Sequence, residues 1–476
     1  MNQLEEILKE TTDTKACLHG ARVLPQVAAF FGRWFCGGNG FVPHPSALVV
    51  DDVNTRRVAG EQVIGYLRAA GIKVFEHTIC PDGAYFHATY DKVEEVREAL
   101  KATMGGEAGA SAGAQVLVPV AVGSGTINDL VKRASEELGL RYMVVGTAAS
   151  MDGYTSYGAS ITKDGMKQTL PCRAPLGAVV DTAIAAAAPR EMSASGYADL
   201  LAKIPAGADW MLAEAILPAY SATSPHGCEK IHPLAWRCVQ HPLRSALANP
   251  AGVASGDEAE VAKFSEGLLM SAFAMQASGT SRPASGTEHQ VSHYWDMENL
   301  AFNGRPVSHG FKVGVGTLAS TATWEFLLAQ DLSRIDVEAA VARWPQSFDA
   351  LTAKFPEIYG NRPDHIKRAQ GEMSRKYSTP QELRGELTLV KRIWPELSRR
   401  LAAQIMPFAE VREKLRLVGA PYEPEQIGVT RARFRETYRG VAYMRNRYFA
   451  LDLVERLGLM DELLEHLFGK GGIWEV

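Results

Sequence analysis

The six cysteines, at positions 17, 36, 80, 172, 228 and 238, include no C-x-x-C pair, and a chain of 476 residues needs no disulfide staples to hold a core. A reducing compartment follows as the simplest expectation. No stretch approaches the roughly 20 consecutive apolar residues of a membrane-spanning helix. The opening MNQLEEILKETTDTKACLHG has neither the basic start nor the apolar run of a secretory signal. Charge of one sign is missing too: 50 basic against 54 acidic residues leave a formal net charge of -4. Such a balance gives no field that would make nucleic acid or an anionic membrane the main partner. No repeat of solenoid length is present. The expectation is a cytoplasmic protein acting on a small molecule, with a homodimer as the default assembly.

At 476 residues and 46% hydrophobic, the chain exceeds one ordinary core, and two domains are expected. From residue 47 the pattern alternates. ALVVDD has a strand's length, TRRVAGEQVIGYLRAAG has helical spacing, and IKVFEHTI is a second strand. A helix near 90–103 precedes the Gly/Ala-rich stretch TMGGEAGASAGA at 103–114, which reads as a loop. AQVLVPVAV then runs through GSGTIND into the helical LVKRASEELG, followed by the strands RYMVVGT and APLGAVVD. Strands alternating with helices imply parallel pairing, because a parallel return needs a crossover. The expected fold is an α/β Rossmann-like parallel-sheet domain over residues 1–188 and a mainly α-helical domain over 189–476.

Several segments carry candidate chemistry. Gly123 and Gly125 lie between an apolar strand and a helix, where backbone N–H groups can approach a pyrophosphate, although G-x-G-x-x-G is absent. The next strand ends in GTAASMDGYTS, so Thr147, Ser150 and Ser156 stand where open α/β sheets bind ligands. Asp152 can accept hydrogen bonds from a substrate hydroxyl; the plain alternative is an Asx turn before Gly153. In SASGYADLLAKIPAGADW, Asp199 and Lys203 fall one helical turn apart, which alone reads as a solvated salt bridge. In SGTEHQVSHYWDM, Ser285 and Glu288 have capping-box spacing, which sets His289 and His293 on one helix face. His309 follows in PVSHGFKVGVGTL. Two histidines and one aspartate with an open position suit catalytic zinc, nickel or iron. His226, His232 and His241 sit among Pro and Gly and read as loop or core histidines. The run RARFRETYRGVAYMRNRY interleaves arginines with aromatics, but its apolar members have helical spacing, so it reads as a partly buried helix. Some of its arginines can instead meet a phosphate on a small substrate.

The motifs DDVNT (51–55), GSGTINDLVK (123–132), TAASMDGYTS (147–156), SGYADLLAK (195–203), SGTEHQVSHYW (285–295), HGFKVGVGT (309–317) and RNRYFALDL (445–453) follow one another in a familiar order. In them the chain resembles the sn-glycerol-1-phosphate dehydrogenases, particularly their bacterial branch. These fall in the superfamily of iron-containing alcohol dehydrogenases, glycerol dehydrogenase and dehydroquinate synthase. The resemblance implies that Asp199, His289 and His309 bind one divalent metal, zinc or nickel with iron as a further option, and that Asp152 and His293 touch substrate. It further implies NAD(P)H lined by Asp52, by Gly123, Ser124, Gly125, Thr126, Ile127 and Asp129, by Thr147, Ala148, Ala149 and Ser150, and by Ser156. The implied activity is reduction of dihydroxyacetone phosphate to sn-glycerol 1-phosphate. A glycerol dehydrogenase-like polyol oxidoreductase and a non-redox NAD-dependent cyclase are the alternatives. The loop at 103–114 and the polar stretch at about 355–387 are longer than the resemblance requires.

Overall fold

Six of the short apolar runs in the first half pair side by side. The strands of this half are β1 (Ala16–Gly20), β2 (Ser46–Asp52), β3 (Val74–Ile79), β4 (Leu117–Gly123), β5 (Met143–Gly146), β6 (Ala159–Lys163), β7 (Met166–Leu170) and β8 (Gly177–Asp181), of which β6 and β7 pair only with each other. They come from a computed structural model, which describes residues 3–36, 45–105, 117–220 and 226–476. The 103–114 stretch therefore lies, from residue 106 on, outside the described residues. Contacts divide the chain into two compact units, Met1–Leu200 with Arg244–Thr280, and Leu201–Leu243 with Ser281–Val476.

In the first unit six strands form an all-parallel sheet in the order β1-β8-β5-β4-β2-β3. Helices cover both faces, as the strand composition requires. Along β2, Ala47 and Val49 join one core with α1 (Val27–Phe35) and α2 (Glu61–Ala69). Leu48 and Val50 join the other, with α3 (Tyr90–Gly105) and α4 (Gly125–Glu137). This is the two-residue alternation of a strand buried on both sides. Pro119, with no N–H to give, precedes the β4–β5 register, which opens at Val120 opposite Met143. The chain runs outward from β2 to β3, then crosses back to β4 and on to β5. The sheet order thus reverses between β2 and β4, which is where such sheets bind ligands.

Three details depart from the sequence reading. Residues 55–71 are not one helix: Val53–Thr55 form a short turn, Arg56–Gly60 a wider π turn, and α2 only then begins. α4 starts at Gly125, so GTIND is already helical. The antiparallel hairpin β6–β7 was not expected, although its turn, Asp164 and Gly165 at φ 53° and 75°, carries the D-G signal of a two-residue hairpin.

The unit also holds α5 (Arg190–Leu201) and the helix Glu258–Ser278. Asp199 and Lys203 do not share one helix: α5 stops at Leu201 and α6 (Lys203–Ile216) begins two residues on. Pro205 explains the break, since it offers no N–H to the Leu201 carbonyl and its ring crowds that oxygen.

The second unit is mainly helical, with one two-residue-per-strand hairpin at Ala301–Pro306. It contains α7 (Thr287–Met297), α8 (His309–Leu328), α9 (Pro380–Gln404), α10 (Arg431–Val441) and α11 (Ala450–Leu457). The 355–387 stretch is not a surplus loop but helical, comprising Phe355–Tyr359, Pro363–Met373 and the start of α9. Two of its charges are buried and paired: Lys376 with Asp452 at 2.6 Å, and Glu386 with Arg456. α10 buries Phe434 and Tyr438, as its spacing predicts. Among the described residues no helix is long and apolar enough to cross a membrane.

Candidate active site

In the first unit the carboxyl ends of β2, β4, β5 and β8 surround a cavity of about 870 Å³ lined by Asp52, Asn54, Thr55, Ser124, Thr147 and Asp181 among others. Asp52 has a local task as well. It is the N-cap of the Val53–Thr55 turn, its Oδ1 accepting from the N–H groups of Asn54 and Thr55, both at 2.8 Å. Asp181 repeats the device at the end of β8, accepting from the N–H groups of Arg22 and Leu24 at 2.9 Å and of Ala183 at 3.1 Å. The sequence reading passed over Asp181, Asn54 and Thr55; an Asp closing a strand before a helix was the available signal.

Of the cofactor residues expected from the sequence, Asp52, Ser124 and Thr147 line this cavity. Gly123 ends β4, while Gly125, Thr126 and Ile127 form the first turn of α4. Asp129 does not line it: its carboxylate is buried, accepts from the Ser160 N–H at 3.1 Å and lies 3.4 Å from Lys132 Nζ. Burial pushes its pKa up. It anchors the β6–β7 hairpin. Lys132, not foreseen, donates to the carbonyls of Gly153 and Ser156 at 3.1 Å and of Gly158 at 3.0 Å, and so fixes the loop that carries Asp152. Ser156 is spent locally, donating to Gly153 O at 3.1 Å, and Ser150 faces Tyr154 at 3.4 Å. Ala148 and Ala149 are buried beside them.

α5 packs hard against that loop. A Cβ on Gly196 would fall 2.0 Å from the Ala149 carbonyl oxygen, so only glycine allows the approach. The Asp152 N–H then donates to Asp199 Oδ2 at 2.9 Å, while Asp152 Oδ2 accepts from Ser271 on the helix Glu258–Ser278 at 2.9 Å. Two aspartates are thereby held in fixed orientation in a buried setting.

The second unit supplies the histidines. A Cβ on Gly316 of α8 would lie 2.3 Å from the Glu288 carbonyl oxygen, and this close contact brings the start of α8 against α7. The His289 and His309 rings are 5.5 Å apart, and those of His289 and His293 6.3 Å. The expected capping box does not form. Gly286 is the N-cap, Ser285 Oγ has no hydrogen-bond partner among the described residues, and the Thr287 N–H is taken by Asp209 of α6 at 2.7 Å. Glu288 instead accepts from the Gly286 N–H at 2.6 Å and from His289 Nδ1 at 2.8 Å. A carboxylate only accepts, so Nδ1 carries the proton and the His289 lone pair is on Nε2. His293 lies 3.6 Å from Asp296, and desolvation holds its pKa down to about 4, so the ring is neutral at pH 7. His226 pairs with Glu382 at 3.5 Å and His232 accepts from the Ala235 N–H at 3.3 Å, in keeping with structural roles.

The family model for iron-containing alcohol dehydrogenase matches residues 41–189. The glycerol dehydrogenase of Schizosaccharomyces pombe superposes with a TM-score of 0.55 at 15% identity, over 96% of this chain and 91% of that one. The fold is thus that of the iron-containing alcohol dehydrogenases and glycerol dehydrogenases, and the chain is an oxidoreductase of that class. The chain is 33% identical over 288 residues to the glycerol-1-phosphate dehydrogenase [NAD(P)+] of Bacillus velezensis, covering 60% of this chain and 67% of the relative. It is 32% identical to that of Methanothermobacter thermautotrophicus, covering 62% and 77%. The chain belongs to the glycerol-1-phosphate dehydrogenase family.

Proposed function

We propose that this enzyme uses NAD(P)H to reduce dihydroxyacetone phosphate to sn-glycerol 1-phosphate, reversibly, with a divalent metal on Asp199, His289 and His309. The observation that carries the reading is the cavity at the sheet's reversal point, with Asp52, Ser124 and Thr147 at strand ends around it. The donor set fits a metal: one carboxylate, and two neighbouring imidazoles of which His289 is held with Nε2 unprotonated. A metal held by these three residues would supply a Lewis acid for the ketone oxygen, and a nicotinamide in the cavity would supply the hydride.

The chain's own residues then bind and orient. Asp152, fixed by Ser271 and by its N–H bond to Asp199, offers a carboxylate acceptor for a substrate hydroxyl. His293, neutral at pH 7 with its low pKa of about 4, relays the proton that the product alcohol requires rather than storing it.

An NADH-oxidation assay tests this. After chelation, activity on dihydroxyacetone phosphate is expected to vanish and to return with added metal, and chiral analysis is expected to give the sn-1 product. No net NADH consumption by metal-loaded enzyme would sink the redox reading, and preference for dihydroxyacetone would reassign the enzyme to polyol oxidation. Asp199→Ala is expected to lose bound metal; His293→Ala to keep it while losing roughly 10²–10⁴ in rate.

A further inference from the structure

His289, His293 and Asp296 follow one another along α7 at spacings of four and three residues, and so fall on one helix face. α8 packs against that helix and brings Lys312, about one turn on from His309, to Asp296. Lys312 Nζ donates to Asp296 Oδ1 at 2.6 Å and to the Val307 carbonyl at 3.1 Å. Both members of the pair are buried, at 3% and 8% exposed. Taking such charges out of water is costly, and apolar side chains of the same size would join two helices as well. Lys312 takes one carboxylate oxygen; the other, Oδ2, lies 3.6 Å from Nδ1 of the half-buried His293 ring. That is longer than a formed hydrogen bond, as the contacts of catalytic imidazoles commonly are before substrate tightens them. The ring already feels the carboxylate: desolvation holds the His293 pKa down to about 4, and Asp296 pulls it the other way. A carboxylate beside an ammonium stays ionised and can only accept, so it selects the ring form with the proton on Nδ1 and the lone pair on Nε2. Glu288 treats His289 in the same way, at that ring's own Nδ1.

We infer that Asp296, kept ionised by Lys312, is the positioning residue of His293: it holds the ring as the Nδ1–H tautomer, so that Nε2 is the nitrogen that exchanges a proton with the substrate. The inference rests on the reading above, in which His293 handles the proton of the alcohol. In the direction of alcohol oxidation the O–H bond of the hydroxyl breaks and an N–H bond forms at Nε2, while the carbon gives its hydride to the oxidised nicotinamide. The transient imidazolium lies beside the Asp296 carboxylate, which stabilises it without taking the proton. In the direction of ketone reduction the same proton passes from Nε2 to the alkoxide, and the ring returns to its neutral form. With the tautomer reversed, Nε2 would already carry a proton and could not take another.

The test uses Asp296→Asn. Lys312 can only donate, so the amide oxygen is drawn to it and the amide nitrogen is left facing Nδ1, which must then accept. The variant thus demands the opposite tautomer with almost no change in volume. With dihydroxyacetone phosphate and NADH, kcat per bound metal is expected to fall roughly a hundredfold or more, toward the level of His293→Ala, while KM and the metal content stay close to wild type. Nitrogen NMR of the zinc-loaded enzyme, isotopically labelled at its histidines, reads the tautomer directly, with the His293 signals assigned by their loss in His293→Ala. Nδ1–H is expected in wild type and Nε2–H in Asp296→Asn. An Nε2–H ring in wild type overturns the inference, whether or not the variant folds. So does a wild-type kcat per bound metal in Asp296→Asn when His293→Ala is slow. A wild-type kcat in His293→Ala sinks the underlying reading of His293 instead, and the inference with it.

Discussion

A histidine offered to a metal has to present the right nitrogen, and in α7 that choice is made by its neighbour. Glu288 is fully buried and accepts from His289 Nδ1 at 2.8 Å. Glu288→Met removes that acceptor while keeping the side chain's length, and metal affinity is expected to fall roughly 10–100-fold, measured by competition with a chromogenic chelator. Unchanged affinity would show that the tautomer is set elsewhere. Asp209 poses a different problem. Buried and close to Glu288, it has a pKa raised to about 7 from an ordinary 3.8, chiefly by desolvation and then by the Glu288 charge. The unfolded chain ionises this group near pH 4, the native chain only near 7. The native state therefore loses stability as pH rises between those values and then levels off. Relative to Asp209→Asn, which has no such titration, the wild-type urea midpoint is expected to be highest near pH 4 and to decline toward pH 8. A difference independent of pH would mean that Asp209 is ionised throughout.

At the scale of elements, buried charge decides the second unit. Glu386 of α9 accepts from Arg456 of α11 and from Tyr448, and Arg456 also donates to Ser378 Oγ and to Lys376 O at 2.9 Å. Arg456→Leu leaves Glu386 buried without its cation and is expected to cost about 3–5 kcal/mol, read from chemical denaturation. The double replacement with Glu386→Leu should recover much of that loss; no recovery would place the cost in packing. These pairs also show what the sequence concealed. Polar residues at 355–387 looked surplus because their partners come from distant segments, and a burial that depends on pairing leaves no periodic trace. The parallel sheet was legible in its continuous apolar runs, which tertiary context had little to change. The candidate ligands Asp199, His289 and His309 were legible as motifs. Their supports were not: Lys132, Ser271, Asp209 and the mid-helix Gly196 and Gly316 act through contacts across dozens of residues. Ser285 misled because capping-box spacing predicts a local bond, and a tertiary carboxylate took the donor instead.

At the scale of the whole molecule, the cavity and its strand ends lie wholly within the first unit, so nicotinamide binding is expected to act on that unit's stability. A ligand that binds only the native state stabilises it by about 2.7 kcal/mol at a hundred times its Kd. NADH should therefore raise the thermal transition of the first unit, followed by differential scanning calorimetry because two units need not melt as one. Ser124→Leu isolates the cavity as the cause. Ser124 lines it, has an extended backbone at φ -92°, and makes no side-chain capping bond to α4, so the larger side chain fills ligand space without removing a hydrogen bond. The variant is expected to melt as wild type does when ligand is absent and to show no rise with NADH. Arg439→Met, on the exposed surface of the second unit where Arg439 pairs with Asp461, should keep the full rise. A rise retained in Ser124→Leu would move the nicotinamide away from this cavity.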